Sequence, residues 1–193
     1  RAHGQDPRTL RLYGQEVAAT TAAIARMNLY LHDIETFSVK RGDTLRNPKF
    51  RVAEGSLARF DAVIANPPFS LGLDRSAWAD DPFGRAALGL PPRKYADLAF
   101  VEHMLASMAP TTGRTAVVVS RGVLARAGDE RLICRNIIEA GLLEAIIGLP
   151  EKLFYSTGLS PAILVLRSTP RPELDGRVLF IDASARVQKS RTQ

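Results

Sequence analysis

Short, unbroken apolar runs recur along the chain between polar and turn-forming stretches, at residues 10–13, 61–65, 115–120, 144–149, 162–166 and 178–182. Continuous rather than alternating apolarity predicts strands covered on both faces. Stretches with a helical period lie between them. Val17, Thr21, Ile24, Met27 and Leu31 share one stripe, and Leu98, Val101, Leu105 and Met108 share another. A third helix is predicted from about Asp129 to Ala140, with Gly141 as its stop. Strands alternating with helices predict right-handed crossovers and an α/β fold with a doubly wound, mostly parallel sheet. In such a sheet ligands gather at the carboxyl ends of the strands.

Residues 70–94 break the pattern, with three prolines, no clear period, and Trp78 set among charges. A loop of this length inside a compact domain is usually functional or disordered. No internal repeat or low-complexity tract is present, and the basic tail from Ala185 on reads as a frayed end.

A chain of 193 residues with 46% hydrophobic and 24% charged content suits one soluble globular domain. Lys and Arg total 26 against 20 Asp and Glu, a net charge of +6, which suits a polyanionic partner but equally a solvated basic surface. The single cysteine, Cys134, excludes a disulfide framework and reads as a structural thiol in a reducing compartment. No apolar run reaches membrane-spanning length, and the N-terminus lacks the apolar centre of a signal peptide, so a cytoplasmic location is expected. His3, His32 and His103 lie far apart without metal-ligand spacing, and His103 reads as a packing or surface residue. Ser120 and Ser160 lack a nucleophile-elbow pattern, and no phosphate-binding GxxxxGK[ST] loop occurs. Tyr155 reads as a core aromatic.

The second apolar run, residues 61–65, ends in Asn66-Pro67-Pro68-Phe69. Proline has no N–H, so two local donors are deleted, the chain direction is set, and the strand end becomes a rigid corner rich in acceptors. The Asn66 side-chain oxygen and the Pro67 carbonyl suit the hydrogens of an exocyclic amino group, and Phe69 offers a face on which a flat base can stack. Asn-Pro is also an ordinary turn initiator. Two upstream carboxylates, Glu16 and Asp43, fall at successive strand ends, where they can accept hydrogen bonds from a nucleoside's ribose hydroxyls and adenine amino group. Taken singly, Glu16 is equally a helix N-terminal charge and Asp43 a turn residue.

With these elements in this order the chain resembles the methylase (M) subunit of type I restriction-modification systems, an N6-adenine DNA methyltransferase family that uses S-adenosylmethionine. The similarity runs through residues 12–45, 60–70, 95–105, 113–133 and 146–167. It implies a Rossmann-like class I methyltransferase fold, with Glu16 on the cofactor ribose and Asp43 on its adenine. Asn66 would serve both cofactor and target, and with Pro67, Pro68 and Phe69 would hold a flipped adenine. It further implies that the 70–94 loop is a DNA-facing lid, with Arg75, Trp78, Arg85, Arg93 and Lys94 near double-stranded DNA. Specificity (S) and restriction (R) subunits are the implied partners.

Two departures stand out. The family's PxGVLFRxG pattern reads here SRGVLARAG, with Ser120, Ala125 and Ala127 at the changed positions. More important, none of the fourteen glycines is followed by another two positions later, so the family's glycine loop for the methionine half of the cofactor has no counterpart. The chain therefore reads as a partial catalytic domain over residues 1–193, truncated before its first strand. Expected consequences are weak cofactor binding, and flanking strands left as edges open to self-association. Alternative readings are an amino-methyltransferase acting on RNA or a glutamine amide, and a non-catalytic assembly module.

Overall fold

The computed structural model describes residues 9–52, 55–69, 71–154 and 158–185; Tyr155 and the tail beyond Ala185 lie outside them. The chain divides into two compact units, residues 1–56 and 57–193.

In the first unit, β1 (Leu12–Glu16), α1 (Ala19–Leu31) and β2 (Phe37–Arg41) form a strand-helix-strand motif. The two strands pair in parallel, with Glu16 opposite Arg41. The Arg26 guanidinium donates twice to the Val39 carbonyl, at 2.7 and 3.1 Å, tying α1 to β2. Tyr30 packs edge-on against Phe37 with ring centroids 4.9 Å apart. The expected apolar stripe does not face inward: Val17, Ile24, Met27 and Leu31 are 58–75% exposed. The inward face is instead set by Ala22, Ala25, Arg26 and Leu29, rotated by about one residue. A two-stranded sheet covers only a narrow strip of helix, and a small alanine gives the close approach that strip needs.

The second unit holds a five-stranded sheet in the order β3-β4-β6-β5-β7. Its strands are β3 (Ala62–Ala65), β4 (Arg114–Ser120), β5 (Leu143–Gly148), β6 (Pro161–Arg167) and β7 (Leu179–Asp182). Five of the six predicted apolar runs become these strands. Four of them run in one direction, and β6 is antiparallel to both β4 and β5, so the sheet is mixed but mostly parallel.

Helices α3 (Asp97–Ala106) and α4 (Asp129–Glu139) cover one face. Leu98, Val101 and Met104 from α3 and Ile133 and Ile137 from α4 pack on Val117, Val119, Leu164 and Leu166. Leu98, Ile133 and Leu166 are completely buried, each contributing about 1.5–3 kcal/mol, so this layer dominates the unit's stability. Gly141 stops α4 as predicted. Its φ of 66° is left-handed, and the Leu142 N–H returns to Ile137 O at 3.1 Å, closing the last turn.

The opposite sheet face differs from expectation. Two registered rows cross it, Ile64–Ala116–Val165–Ala145–Leu179 and Val118–Ile163–Ile147–Ile181, all apolar. α3 and α4 lie on the other side, and Ile64, Leu179 and Ile181 remain 81%, 50% and 41% exposed. Among the described residues β1 pairs only with β2 and β3 only with β4, so each presents an edge.

Candidate active site

The corner that ends β3 is built by its own sequence. The β3–β4 ladder closes at Ala65 opposite Val117, and Pro67 and Pro68 carry no N–H to extend it. Asn66 sits between strand and prolines. Its side chain is exposed and makes no hydrogen bond with the described residues. It lines an open hollow of about 400 Å³ together with Ile64, Ala65, Ala116, Val118 and Ile163. Ligand pockets begin at about 300 Å³, so the hollow is large enough for a purine ring, with apolar side chains of the sheet face as its floor and the Asn66 amide at its edge.

Phe69, two residues past the prolines' start, is half-buried. Its ring centroid lies 6.0 Å from that of Phe154, tilted by 58°, within the range of aromatic contact. Phe154 precedes β6 in the chain and reaches the corner only through the fold. Sequence reasoning weighed its neighbour Tyr155 and passed over it.

Residues 71–96 leave the corner and return to α3 as a closed excursion. Leu73 N–H donates to Arg93 O, and Ala96 N–H to Leu71 O, each at 2.8 Å, sealing its base. The excursion contains α2 (Arg75–Ala79), capped by Asp74, whose carboxylate accepts from the Ala77 N–H. Trp78 and Arg85, expected to face DNA, are 2% and 5% exposed and point inward. The Arg85 guanidinium grips Asp81 at 2.6 and 3.0 Å and lies 4.1 Å over the Trp78 ring. An otherwise unpaired buried cation is too costly, so the i,i+4 carboxylate and the indole face take it up. Arg75 is half-exposed and pairs with Asp129 at 2.9 Å, tying α2 to the start of α4. Arg93 and Lys94 are exposed.

A second polar knot lies at the carboxyl end of β4. Arg126 bonds Glu130 at 2.6 Å and Ser120 Oγ at 3.2 Å, and stacks 4.0 Å over Tyr95. Asp97 stands 3.8 Å from the same guanidinium, with Oδ2 buried and unbonded. Burial raises the pKa of both Asp97 and Glu130, and Arg126 offsets this only in part. Ser120, one of the departures from the family pattern, thus supplies an acceptor that proline could not. Cys134 is partly buried, and burial, with Glu130 nearby, pushes its thiol to about 11, which fits a structural role.

In the first unit Glu16 is the last residue of β1, and its Oε1 accepts the Ala18 N–H at 2.8 Å. Asp43 follows β2, and its Oδ1 accepts from Leu45 and Arg46 N–H at 2.9 and 3.0 Å. Both carboxylates therefore take local capping roles with one oxygen, and Asp43 Oδ2 also lies 4.0 Å from the Arg46 guanidinium. They stand at the carboxyl ends of adjacent parallel strands. Gln15 was missed by sequence reasoning. Its side chain accepts from Lys49 N–H at 2.8 Å and donates to Asn47 O at 3.0 Å, holding the segment that follows Asp43.

Strand order, a parallel pair ending in an open Asn-Pro-Pro-Phe corner, and carboxylates at neighbouring strand ends together define the class I S-adenosylmethionine-dependent methyltransferase fold. A Listeria monocytogenes protein described as a class I methyltransferase of this kind shares the fold, with a TM-score of 0.65 at 21% identity over 89% of this chain and 49% of its own. Within that class the chain belongs to the N-6 DNA Methylase family, whose profile matches residues 1–193.

Similar proteins include the MjaVII type I restriction enzyme methylase subunit of Methanocaldococcus jannaschii. It is 37% identical over 187 aligned positions, covering 92% of this chain and 31% of that one. The HindI methylase subunit of Haemophilus influenzae is 32% identical over 94% of this chain and 40% of its own. The type I restriction-modification methyltransferase subunit of Streptococcus thermophilus superposes on 97% of this chain and 39% of its own, with a TM-score of 0.83 and 31% identity. The chain spans about a third of the length of the curated relatives it matches.

Proposed function

We propose that these residues form part of the catalytic domain of an N6-adenine DNA methyltransferase, the modification subunit of a type I restriction-modification system. The observation that carries this is the Asn66 corner, a free amide at the rim of an apolar hollow at the carboxyl end of β3. Asn66 Oδ1 and the Pro67 carbonyl accept hydrogen bonds from the adenine amino group and favour a pyramidal, more nucleophilic nitrogen. An adenine inside a duplex cannot reach such a corner, so it must be extruded at a cost of a few kcal/mol. Phe69, backed by Phe154, offsets that cost by stacking.

Bound S-adenosylmethionine supplies an electrophilic methyl group for in-line displacement. The residues present fit its nucleoside half: Glu16 Oε2 suits the ribose hydroxyls and Asp43 the adenine amino group. No glycine pair with one intervening residue is available for the methionine half. Titrating the 193-residue chain with S-adenosylmethionine in a calorimeter is therefore expected to give a Kd weaker than about 100 μM. A Kd near 1 μM, about −8 kcal/mol, would mean that other residues hold the methionine.

Arg93 and Lys94, exposed at the base of the excursion, suit phosphate contacts with duplex DNA. Target choice and cleavage fall to the specificity and restriction subunits that relatives of this kind imply. The edges of β1 and β3 and the bare sheet face support association of the isolated chain with itself.

The test is transfer of labelled methyl to duplex DNA by the complete subunit with its specificity subunit, followed by nucleoside analysis. N6-methyladenine is expected. Label in RNA or in a glutamine side chain would give the corner to another amino substrate, and no label anywhere would favour a non-catalytic assembly module. In the same assay Phe69→Ala is expected to weaken base capture by about 1–3 kcal/mol, seen chiefly in KM. An unchanged KM would show that the base stacks elsewhere.

A further inference from the structure

Glu102 lies in the middle of α3 and is 1% exposed, with neither carboxyl oxygen in a completed hydrogen bond. The donors that face it, the Trp78 indole N–H and the Leu88 backbone N–H, both belong to the 71–96 excursion. The buried indole N–H has no bonded partner either. The charged groups facing Glu102 are Asp81 and Arg85. Arg85 is already committed to Asp81 at 2.6 Å, each side chain 3% exposed. His103, next to Glu102 on α3, lies 3.3 Å from Arg85 through Nδ1. Burial, reinforced by that guanidinium, drives the imidazole down to about 4, so it is neutral and adds no positive charge. α4 packs on the same excursion with uncharged groups: Asn136 donates to Leu88 O at 2.7 Å, and Ile133 sits against Gly89.

Charge is thus balanced only while Glu102 is a neutral acid. Ionised, it would leave one net negative charge in a knot whose one facing cation among the described residues, Arg85, is paired with Asp81, and the cost of burying that charge favours opening. We propose that Glu102 is a pH-operated latch for the 71–96 excursion. In the closed form the carbonyl oxygen of the neutral acid faces the indole N–H in a dry contact between α3 and α2. When the proton leaves, the carboxylate seeks water, and the α2 side of the excursion lifts. The excursion begins two residues after Phe69, so the latch also bears on how firmly that ring is placed; this last consequence rests on the function proposed above, whereas the latch itself does not.

The direction follows from linkage. Burial pushes Glu102 up to about 8, far above its ordinary value of 4.5. The closed form therefore holds an extra proton between those two values. Its stability is full below the lower value, declines as pH rises through the interval, and levels off above about 8.

Trp78 is the chain's one tryptophan and reports on this contact without labelling. In the full 193-residue chain its emission is expected to shift to longer wavelength between about pH 5 and about pH 8, with a one-proton transition. Glu102→Gln keeps the shape and removes the proton, and is expected to abolish the transition. His103→Asn is expected to keep it. A flat wild-type titration, or a Glu102→Gln titration like that of the wild type, would overturn the latch. If Glu102→Gln does not fold, infrared difference spectroscopy of the wild type decides: a protonated carboxylic acid band must persist at neutral pH and vanish above the transition, and its absence at neutral pH overturns the proposal.

Discussion

Replacing Asn66 with alanine in the complete subunit should reduce methyl transfer by about 10²–10³-fold or more, with most of the loss in kcat. The amide is asked to act on the amino nitrogen as its lone pair is drawn out of the ring, an interaction stronger in the transition state than in the bound substrate. The same change should leave stability within about 0.5 kcal/mol of the wild type, because the side chain is exposed and bonded to no described residue. Rate measurements under saturating substrate, paired with urea unfolding, separate the two effects. Full turnover with Asn66→Ala would remove the amino clamp, and a large loss of stability would make Asn66 a structural residue.

Arg85→Met should be the most destabilising single change in the excursion, by about 3–5 kcal/mol. It strands the Asp81 carboxylate in a site where only 3% of that side chain meets solvent, and removes the cation from the Trp78 face. Burial alone would raise the pKa of Asp81. The hydrogen bonds and charge of Arg85 outweigh this and hold it below the usual carboxylate range, so loss of the arginine reverses the shift. A double change, Asp81→Asn with Arg85→Met, should recover most of the loss, because the stranded charge and not the missing contact is the main cost. Urea unfolding followed by circular dichroism reads both variants. A loss under about 1 kcal/mol for Arg85→Met would mean that the pair behaves as a surface ion pair.

The layered core was legible because the apolar runs that become β4, β5 and β6 each have one side on α3 and α4, and the spacing of Leu98, Val101 and Leu105 leaves little alternative to a buried helix. The stop at Gly141 was legible from glycine's access to left-handed φ. The reversed direction of β6 was not, since a run such as residues 162–166 looks the same read either way. A usable signal existed: residues 149–160 contain no helical period, and a parallel return requires a crossover.

The stripe on α1 misled because period alone finds an apolar face without saying what covers it. In the 70–94 stretch, Trp78 among charges read as exposed, although Asp81 and Arg85 at i,i+4 spacing could have signalled a neutralised pair able to be buried. At the site, the Asn66-Pro67-Pro68-Phe69 corner is local and could be seen in advance. Gln15 and Phe154 act across 32 and 85 positions of chain, and only the fold brings them to their contacts.

The placement of β6 between β4 and β5 sets an order for folding during synthesis. β4 and β5 each need residues 161–167 as their shared neighbour, so neither can complete its ladder until that segment has left the ribosome. At about 5–20 residues per second, the apolar segment 143–148 waits a second or more without its central partner. Slower decoding between residues 149 and 160 would lengthen that interval, making the rate of translation there a determinant of yield.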